Sequence, residues 1–222
     1  MSKIFEKIKP PFDKAYVLDN GNIMTPAMRM VYANLFVPGP PSKSEKDEKR
    51  FHWSLTGLIP GLVDLTALDE RIKEIVADNL SEAKRKPLAD GTLPYKRPIL
   101  QTASRQTLAA LCDDYPHCIS PNAKAYKKNG EKRPAPGVIY ANGKEVDEAD
   151  APDQVYDGRW FRATLNPYWY PANDGKAGVS LGLVNVQLLW NDDPVASGKP
   201  SASSEFETVD IGEDDEIPSE FE

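Results

Sequence analysis

Apolar positions along this chain mostly follow the short period of β-strands. Three strands are predicted near the start of the chain, each ended by a turn signal such as Pro60-Gly61. They cover residues 13–19, 28–37 and 51–59. Two longer strands, residues 159–170 and 178–190, are separated by Asn173-Asp174-Gly175, a strong hairpin signal.

One segment has the helical period instead. Between residues 64 and 83, apolar side chains recur every three or four positions, which predicts a helix. Asp64 or Thr66 can serve as the N-cap, and the helix is expected to stop at Lys84-Arg85-Lys86-Pro87.

Residues 84–157 are rich in Pro, Gly, Asn and Lys and have weak periodicity. Within them we predict a short helix at residues 105–112 and a small hairpin at 138–146 around Asn142-Gly143. A stretch this long inside one domain is typical of functional loops, so we interpret it as an insertion with basic binding loops.

The predicted order is three strands, a helix, an insertion and a closing hairpin. This order favours a mainly β protein with an OB-fold, a five-stranded barrel with one helix between its third and fourth strands. A fragment of a β-sandwich would give similar signals. Residues 1–196 are expected to form this domain, and residues 197–222 contain too little apolar surface to pack and are predicted to be a disordered acidic tail.

Composition narrows the class of protein further. The 20 prolines among 222 residues disfavour a helical bundle. The longest apolar stretch, residues 178–190, is too short for a membrane helix, and no secretory signal is expected at the N-terminus. Two cysteines, Cys112 and Cys118, cannot build a disulfide framework, so a reducing, cytosolic setting is expected.

The net charge of −7 conceals an uneven distribution. Nine of the 34 acids and none of the 27 bases lie in residues 201–222, so residues 1–200 have a net charge of +2. Residues 84–133 alone have a local charge of +7, and residues 134–157 one of −5. A basic stretch in the same chain as an acidic tail favours a polyanion-binding protein with an internal competitor.

Enzyme motifs are absent from the sequence. It contains no nucleophile elbow, P-loop, zinc-protease helix or dinucleotide fingerprint, and no cofactor is predicted. Asp113 and Asp114 leave a metal-dependent nuclease as an alternative. Cys112, His117 and Cys118 are close in sequence but lack the paired spacing of a structural zinc site, so no metal is assigned to them.

The strand at residues 159–170 has two distinct faces, because alternate residues point to opposite sides of a sheet. Phe161, Ala163, Leu165, Pro167 and Trp169 suit a barrel interior, and the other face presents Trp160, Arg162, Thr164, Asn166, Tyr168 and Tyr170. Aromatic rings with a cation are what a sequence-tolerant single-strand surface needs. Cross-strand aromatic pairs that stabilise the sheet explain the pattern equally well.

Other residues extend this candidate surface. Tyr32 and Phe36 are in phase on the second predicted strand, although both phases there are apolar and a core position is equally compatible. The loop after residue 120 interleaves an aromatic ring with positive charges: Lys124, Tyr126, Lys127, Lys128, Lys132 and Arg133. Such a run is also compatible with a merely solvated face.

The tip of the tail combines acids with one aromatic residue. Asp214, Asp215 and Glu216 precede Phe221, the second-last residue. This pattern favours a peptide whose ring enters a pocket of a partner protein while its carboxylates meet a basic rim. The same tail could instead mimic phosphates on the protein's own basic surface.

Three runs of sequence together resemble one family. Residues 155–160 (VYDGRW), 166–170 (NPYWY) and 176–187 (KAGVSLGLVNVQ) are similar to the C-terminal signature of tailed-phage single-stranded DNA-binding proteins. Residues 28–80 and the acidic tail also resemble that family, whereas residues 84–133 match it poorly. The resemblance implies an OB-fold and a non-catalytic role in phage DNA replication and recombination, in the cytoplasm of the infected bacterium.

We therefore expect a protein that binds single-stranded DNA through Trp160, Arg162, Tyr168, Tyr170 and the basic loop. Its expected partners are the DNA and, through the tail, phage or host replication proteins; no membrane partner is expected, and a homodimer is compatible with the sequence. The alternatives are a structural or accessory β-domain, the nuclease already mentioned, and a DNA-mimic inhibitor that acts through the tail.

Overall fold

The computed structural model describes residues 3–88, 92–171 and 176–195. Ten strands in these residues belong to one sheet. They are β1 (Tyr16–Val17), β2 (Ile23–Met24), β3 (Met28–Gly39), β4 (His52–Ile59), β5 (Leu100–Gln101), β6 (His117–Ile119), β7 (Asn122–Lys124), β8 (Gly137–Tyr140), β9 (Trp160–Tyr170) and β10 (Gly178–Leu188).

The described helices are short. The α-helices are α1 (Thr66–Asn79) and α2 (Ala151–Gln154), and 3-10 helices cover Lys3–Lys7, Glu48–Arg50, Glu82–Lys84, Thr102–Ser104, Ala109–Leu111 and Glu148–Asp150. None of the described helices combines the length and the apolar character needed to cross a bilayer.

Five of the strands close the sheet into a barrel. β3 pairs with β4, β4 with β7, β7 with β10, β10 with β9, and β9 returns to β3. Each of these pairs is antiparallel except β7 with β10, where Asn122 lies opposite Gly182. A closed, five-stranded barrel that is mainly β confirms the predicted OB-like fold class.

The predicted assignment of strands is wrong in one respect. The first predicted strand is reduced to β1, which pairs with β2 beside the barrel, so α1 follows the second barrel strand and not the third. The third barrel strand comes from the segment interpreted as an insertion. There β6 and β7 both pair with β4 and are separated at Pro121, which has no N–H for the ladder.

Helix α1 packs against β1, β9 and β10. Its apolar stripe is buried in the main core: Leu68, Ile72, Ile75 and Val76. The Oδ1 atom of Asp64 accepts a hydrogen bond of 2.8 Å from the N–H of Thr66, which satisfies one donor at the start of the helix. At the other end Arg85 donates to the carbonyl of Leu80 at 2.8 Å, and the helix stops at Asn79, earlier than predicted.

A second apolar cluster lies outside the barrel. It covers the outward side chains of β3, β4 and the start of β9, and its buried members are Ile8, Ala27, Val31, Leu58, Leu108, Tyr115, Cys118, Trp160, Leu189 and Val195. The covering layer comes from the N-terminal segment, residues 108–118 and residues 189–195. Both faces of β3 and β4 are thus buried here, which explains why both phases of these strands are apolar.

Asp192 fastens the last described segment to this cluster. Its Oδ2 atom accepts a hydrogen bond from Trp160 Nε1 at 2.9 Å and lies 3.2 Å from Nη1 of Arg29. Both charged side chains are largely buried, with 12% and 14% of their surface exposed. Arg29 also donates to the hydroxyl of Tyr115 and to the carbonyl of Gly158, each at 3.1 Å.

Replacing Asp192 with Ala should destabilise the fold strongly. The substitution removes the acceptor of the indole N–H and the carboxylate that pairs with the mostly buried guanidinium of Arg29, which costs roughly 2–4 kcal/mol. Urea unfolding followed by tryptophan fluorescence measures this cost. The matched control is Asp193→Ala, next to it and exposed, which should change stability by less than about 0.5 kcal/mol. Equal stabilities of the two variants would contradict a structural role for the Asp192 carboxylate.

Candidate nucleic-acid interface

The outward face of β9 is covered at one end of the strand and open at the other. Trp160 at its start is 0% exposed, whereas Tyr168 near its end is 41% exposed. The inward side chains of the strand, among them Phe161 and Leu165, are buried as the alternation predicted. The open half of β9 is therefore the part of the strand that can contact a ligand.

A groove crosses the sheet at this open half. Its central part lies on β9, β10, β7 and the loop after β7, and is lined by Asn122, Ala123, Lys124, Lys127, Arg133, Pro134, Asn166, Tyr168, Gly182, Leu183 and Val184. A second cavity shares Lys124 and Lys127 with it and adds Pro41, Lys49, Arg50, His52, Tyr126 and Lys128. The third adjoins the central part along β10 and is lined by Lys96, Arg97, Pro98, Leu100, Ser120, Tyr170, Val179, Ser180 and Leu181. We call the three together the basic groove.

Positive charge dominates the basic groove. Eight of its lining residues are Lys or Arg, and none of the described lining residues is a carboxylate. Arg50, Arg97 and Lys127 form ion pairs with acids outside the lining. The other five cations have no carboxylate within 4.0 Å among the described residues: Lys49, Lys96, Lys124, Lys128 and Arg133. Such a surface attracts a polyanion.

The basic loop is a folded hairpin that extends β7. The N–H of Lys127 donates to the carbonyl of Glu131 at 2.8 Å, and that of Arg133 donates to the carbonyl of Ala125 at 2.8 Å. Gly130 takes a φ of +84° at the turn, which a glycine adopts without strain. This backbone holds Lys124, Lys127 and Arg133 along one wall of the groove.

Tyr168 forms the aromatic floor of the central part. In the pairing of β9 with β10 it lies opposite Ser180, and Gly182, opposite Asn166, lines the same part of the groove. Tyr170, two positions further on, is half-buried in the third cavity. Burial raises the pKa of Tyr170, and the nearby Tyr168 raises it further, so the phenol of Tyr170 is neutral at pH 7.

His52 marks the other end of the groove. It lies opposite Lys124 in the pairing of β4 with β7 and lines the cavity that also contains Arg50. Burial lowers the pKa of His52, and the charges of Lys124 and Arg50 lower it further. The imidazole is therefore mostly neutral at pH 7 in the free protein.

Three titratable groove residues were not among the predicted contacts: Lys49 and Arg50 lie just before β4, and His52 is its first residue. Lys96 and Arg97 belong to the insertion that was predicted to contain basic binding loops, and they lie in a loop whose backbone bonds to β10 at Gly178. The charges of these residues were the only available signal. Their position beside β9, the strand that contains Tyr168, depends on the order of the strands around the barrel, which the sequence does not reveal.

The prediction that Trp160 stacks on bases is wrong. Its ring packs against Phe5 and Trp190, with ring centroids 5.9 and 6.3 Å away, and its N–H is bonded to Asp192. No face of the indole is left for a base. The alternation placed Trp160 on the correct side of the sheet, but it could not reveal the second layer that covers this side.

Arg162 does not lie in the basic groove, so its predicted grouping with the tyrosines is wrong. Its guanidinium carbon lies 5.0 Å from the centroid of Phe12, and its Nε donates to Gln187 at 2.7 Å. It lines a separate cavity that also contains Glu145. Six residues along a strand separate it from Tyr168, which corresponds to about 20 Å.

Tyr32 and Phe36 do not extend the aromatic floor. Tyr32 is 39% exposed, but it lines none of the groove cavities, and its backbone N–H donates to Oδ1 of Asp157 at 2.7 Å, near the start of β9. Phe36 packs against the main core. The pairing of β3 with β4 shifts register between Val31 and Asn34, and Tyr32 has a φ of +54°, so the simple alternation fails there.

The remaining predictions concern the acidic tail and the candidate metal ligands. Asp214, Asp215, Glu216 and Phe221 lie outside the described residues. Cys118 is buried on β6, and burial raises the pKa of its thiol. No group of three or more His, Cys, Asp or Glu side chains in the described part of the chain is arranged to hold a metal ion.

Comparison with known proteins identifies a family whose sequence pattern this chain matches. The model of one family, described as Enterobacter phage Enc34, ssDNA-binding protein, matches residues 21–217. The chain belongs to this family. None of the curated protein sequences is significantly similar to it.

Solved structures show the same fold at low identity. The single-stranded DNA-binding protein of bacteriophage Enc34, truncated at its C-terminus, has a TM-score of 0.59 and 16% identity, over 84% of this chain and 95% of that one. The same phage protein in complex with ssDNA has a TM-score of 0.55 and 18% identity, over 84% and 95%. The gp2.5 single-stranded DNA-binding protein of bacteriophage T7 has a TM-score of 0.54 and 13% identity, over 80% and 96%.

The three runs of sequence that resemble the family lie in two different parts of this structure. Residues 155–160 hold the segment that follows β10. Val195 bonds to the carbonyl of Asp157, and the hydroxyl of Tyr156 donates to the carbonyl of Asp192. Residues 166, 168, 170 and 179–184 of the other two runs instead line the basic groove.

Removing the charge of Lys124 should raise the pKa of His52. The Lys124→Ala substitution takes away one of the two cations that disfavour the imidazolium, while burial still opposes it. NMR titration of the two histidine ring signals measures the change. His117 lies on β6 outside the basic groove, so its ring signals serve as the internal reference. An unchanged His52 would show that the two side chains do not interact.

Proposed function

We propose that this protein binds single-stranded DNA in the basic groove without sequence preference and coats it during phage DNA replication and recombination. The observation that supports this proposal best is the exposed ring of Tyr168 on a groove floor lined by cations and by no described carboxylate. Membership of a family of phage single-stranded DNA-binding proteins supports the same conclusion. The expected site of action is the cytoplasm of the infected bacterium.

The aromatic rings and the cations of the groove would contact different parts of the DNA. Tyr168 and Tyr170 offer π-faces to bases, and each stacked base contributes about 1–3 kcal/mol whatever its identity. Lys124, Lys127 and Arg133 would bind phosphates along the wall. Stacking and phosphate contacts do not depend on which base is present, so the binding would tolerate any sequence.

The acidic tail, residues 197–222, would compete with the DNA. Its nine carboxylates at residues 201–222 provide a polyanion within the same chain as the groove. When DNA displaces the tail, Asp214, Asp215, Glu216 and Phe221 would become available to replication proteins of the phage or host. A homodimer is compatible with this arrangement and is not required by it.

Replacing Tyr168 with Ala should weaken binding of an oligonucleotide of about 30 bases by roughly 5- to 150-fold, the equivalent of one lost stacking contact. Fluorescence anisotropy of the labelled oligonucleotide measures the dissociation constant. Tyr32→Ala is a matched control because Tyr32 is equally exposed, at 39%, but lies outside the groove. Equal weakening by both substitutions would contradict the proposed floor, and no binding by the unaltered protein would contradict the function.

Ending the chain at Pro200 should tighten binding several-fold at low salt. The truncation removes nine acids and no base, so it removes the competitor without altering the described groove. For both chain lengths, each phosphate contact should contribute a slope of about −0.7 in log affinity against log salt. The advantage of the shorter chain should shrink as salt screens the tail. Identical affinities at low salt would exclude competition by the tail.

A further inference from the structure

His52 occupies an unusual position for a histidine, at the end of a groove lined by cations. Its strand neighbour across the pairing is Lys124, and the described cavity also contains Lys49, Arg50, Lys127 and Lys128. The ring is partly exposed and has no hydrogen-bond partner among the described residues. Its two nitrogens are therefore available to a ligand in the groove.

The charged groups around His52 come from three elements. Lys124 lies on β7, Arg50 and Lys49 belong to the preceding 3-10 helix, and the remaining two lysines belong to the hairpin after β7. Two acids pair with cations of this cavity: Glu45 pairs with Arg50 at 2.7 Å, and Glu131 pairs with Lys127 at 2.8 Å. Neither acid lines the cavity. In the free protein the charges of Lys124 and Arg50 thus oppose protonation of His52.

We propose that His52 is a further phosphate contact, and that it takes up one proton when single-stranded DNA binds. This inference rests on the proposed function and adds a contact to the same groove. A phosphate placed between Lys124, Arg50 and His52 would reverse the field that keeps the imidazole neutral. The imidazolium then donates a charge-assisted hydrogen bond to the phosphate oxygen.

The positions of the charges determine whether protonation of His52 strengthens or weakens DNA binding. In the free protein, burial and the two cations hold the pKa of His52 below its usual value. An adjacent phosphate raises that pKa, so the complex binds more protons than its free components between the two values. Affinity must therefore increase as the pH falls through this interval.

The chain contains only two histidines, His52 and His117, so single substitutions can separate their contributions to a pH dependence. Affinity for oligothymidylate of about 30 bases would be measured at constant salt from about pH 7.5 to 5.5, where carboxyl, thiol and lysine side chains titrate little and the α-amino group is common to all variants. One linked proton limits the gain to about tenfold per pH unit. We expect a total gain of about five- to tenfold for the unaltered protein and for His117→Gln. The gain should be lost in His52→Gln.

NMR provides a second readout that does not depend on affinity. Addition of the oligonucleotide should raise the pKa of the His52 ring, and the ring signals of His117 serve as the internal reference. Tight binding with the same pH dependence in His52→Gln, or an unshifted His52 signal in the complex, would overturn this inference while leaving the proposed function intact. Absence of binding at every pH would instead overturn the proposed function.

Discussion

The carboxylate of Asp192 determines which part of the barrel surface is covered. By accepting from the indole of Trp160 and pairing with Arg29, it holds residues 189–195 across the start of β9. That segment and the N-terminal segment bury the outward side chains there, and they stop before the middle of the strand. The basic groove occupies the outward face that this layer leaves open, so its position on β9 depends on the extent of the second core.

The electrostatics of the groove follow from where the acids are placed. Glu45 and Glu131 form ion pairs with Arg50 and Lys127 at its margin, and no described carboxylate lines it. The most negative stretch of the described chain, residues 134–157, lies largely elsewhere and borders the cavity of Arg162 through Glu145. Separation of the two signs of charge, more than the total charge, gives the protein its cationic surface.

The sequence predicted the elements whose signals are long and uninterrupted. Helix α1, the β9–β10 pair and the fold class were of this kind, and each is confirmed. The third barrel strand was missed because β6 and β7 are three residues each and Pro121 interrupts them.

Trp160 was misassigned for a different reason: a period of two identifies the side of a sheet, but only tertiary structure shows whether a second layer covers that side. For the same reason the contributions of Arg50, His52 and Arg97 to the groove could not be predicted from their sequence neighbours.

The hairpin after β7 closes through its own backbone bonds, between Lys127 and Glu131 and between Ala125 and Arg133. The side chains of its turn make no contribution to either buried cluster, because residues 127–135 are exposed. At this hairpin, groove charge and core packing therefore depend on different residues. Substitutions of Lys127, Lys128 or Arg133 can alter the charge of the basic groove with little effect on the barrel that supports it.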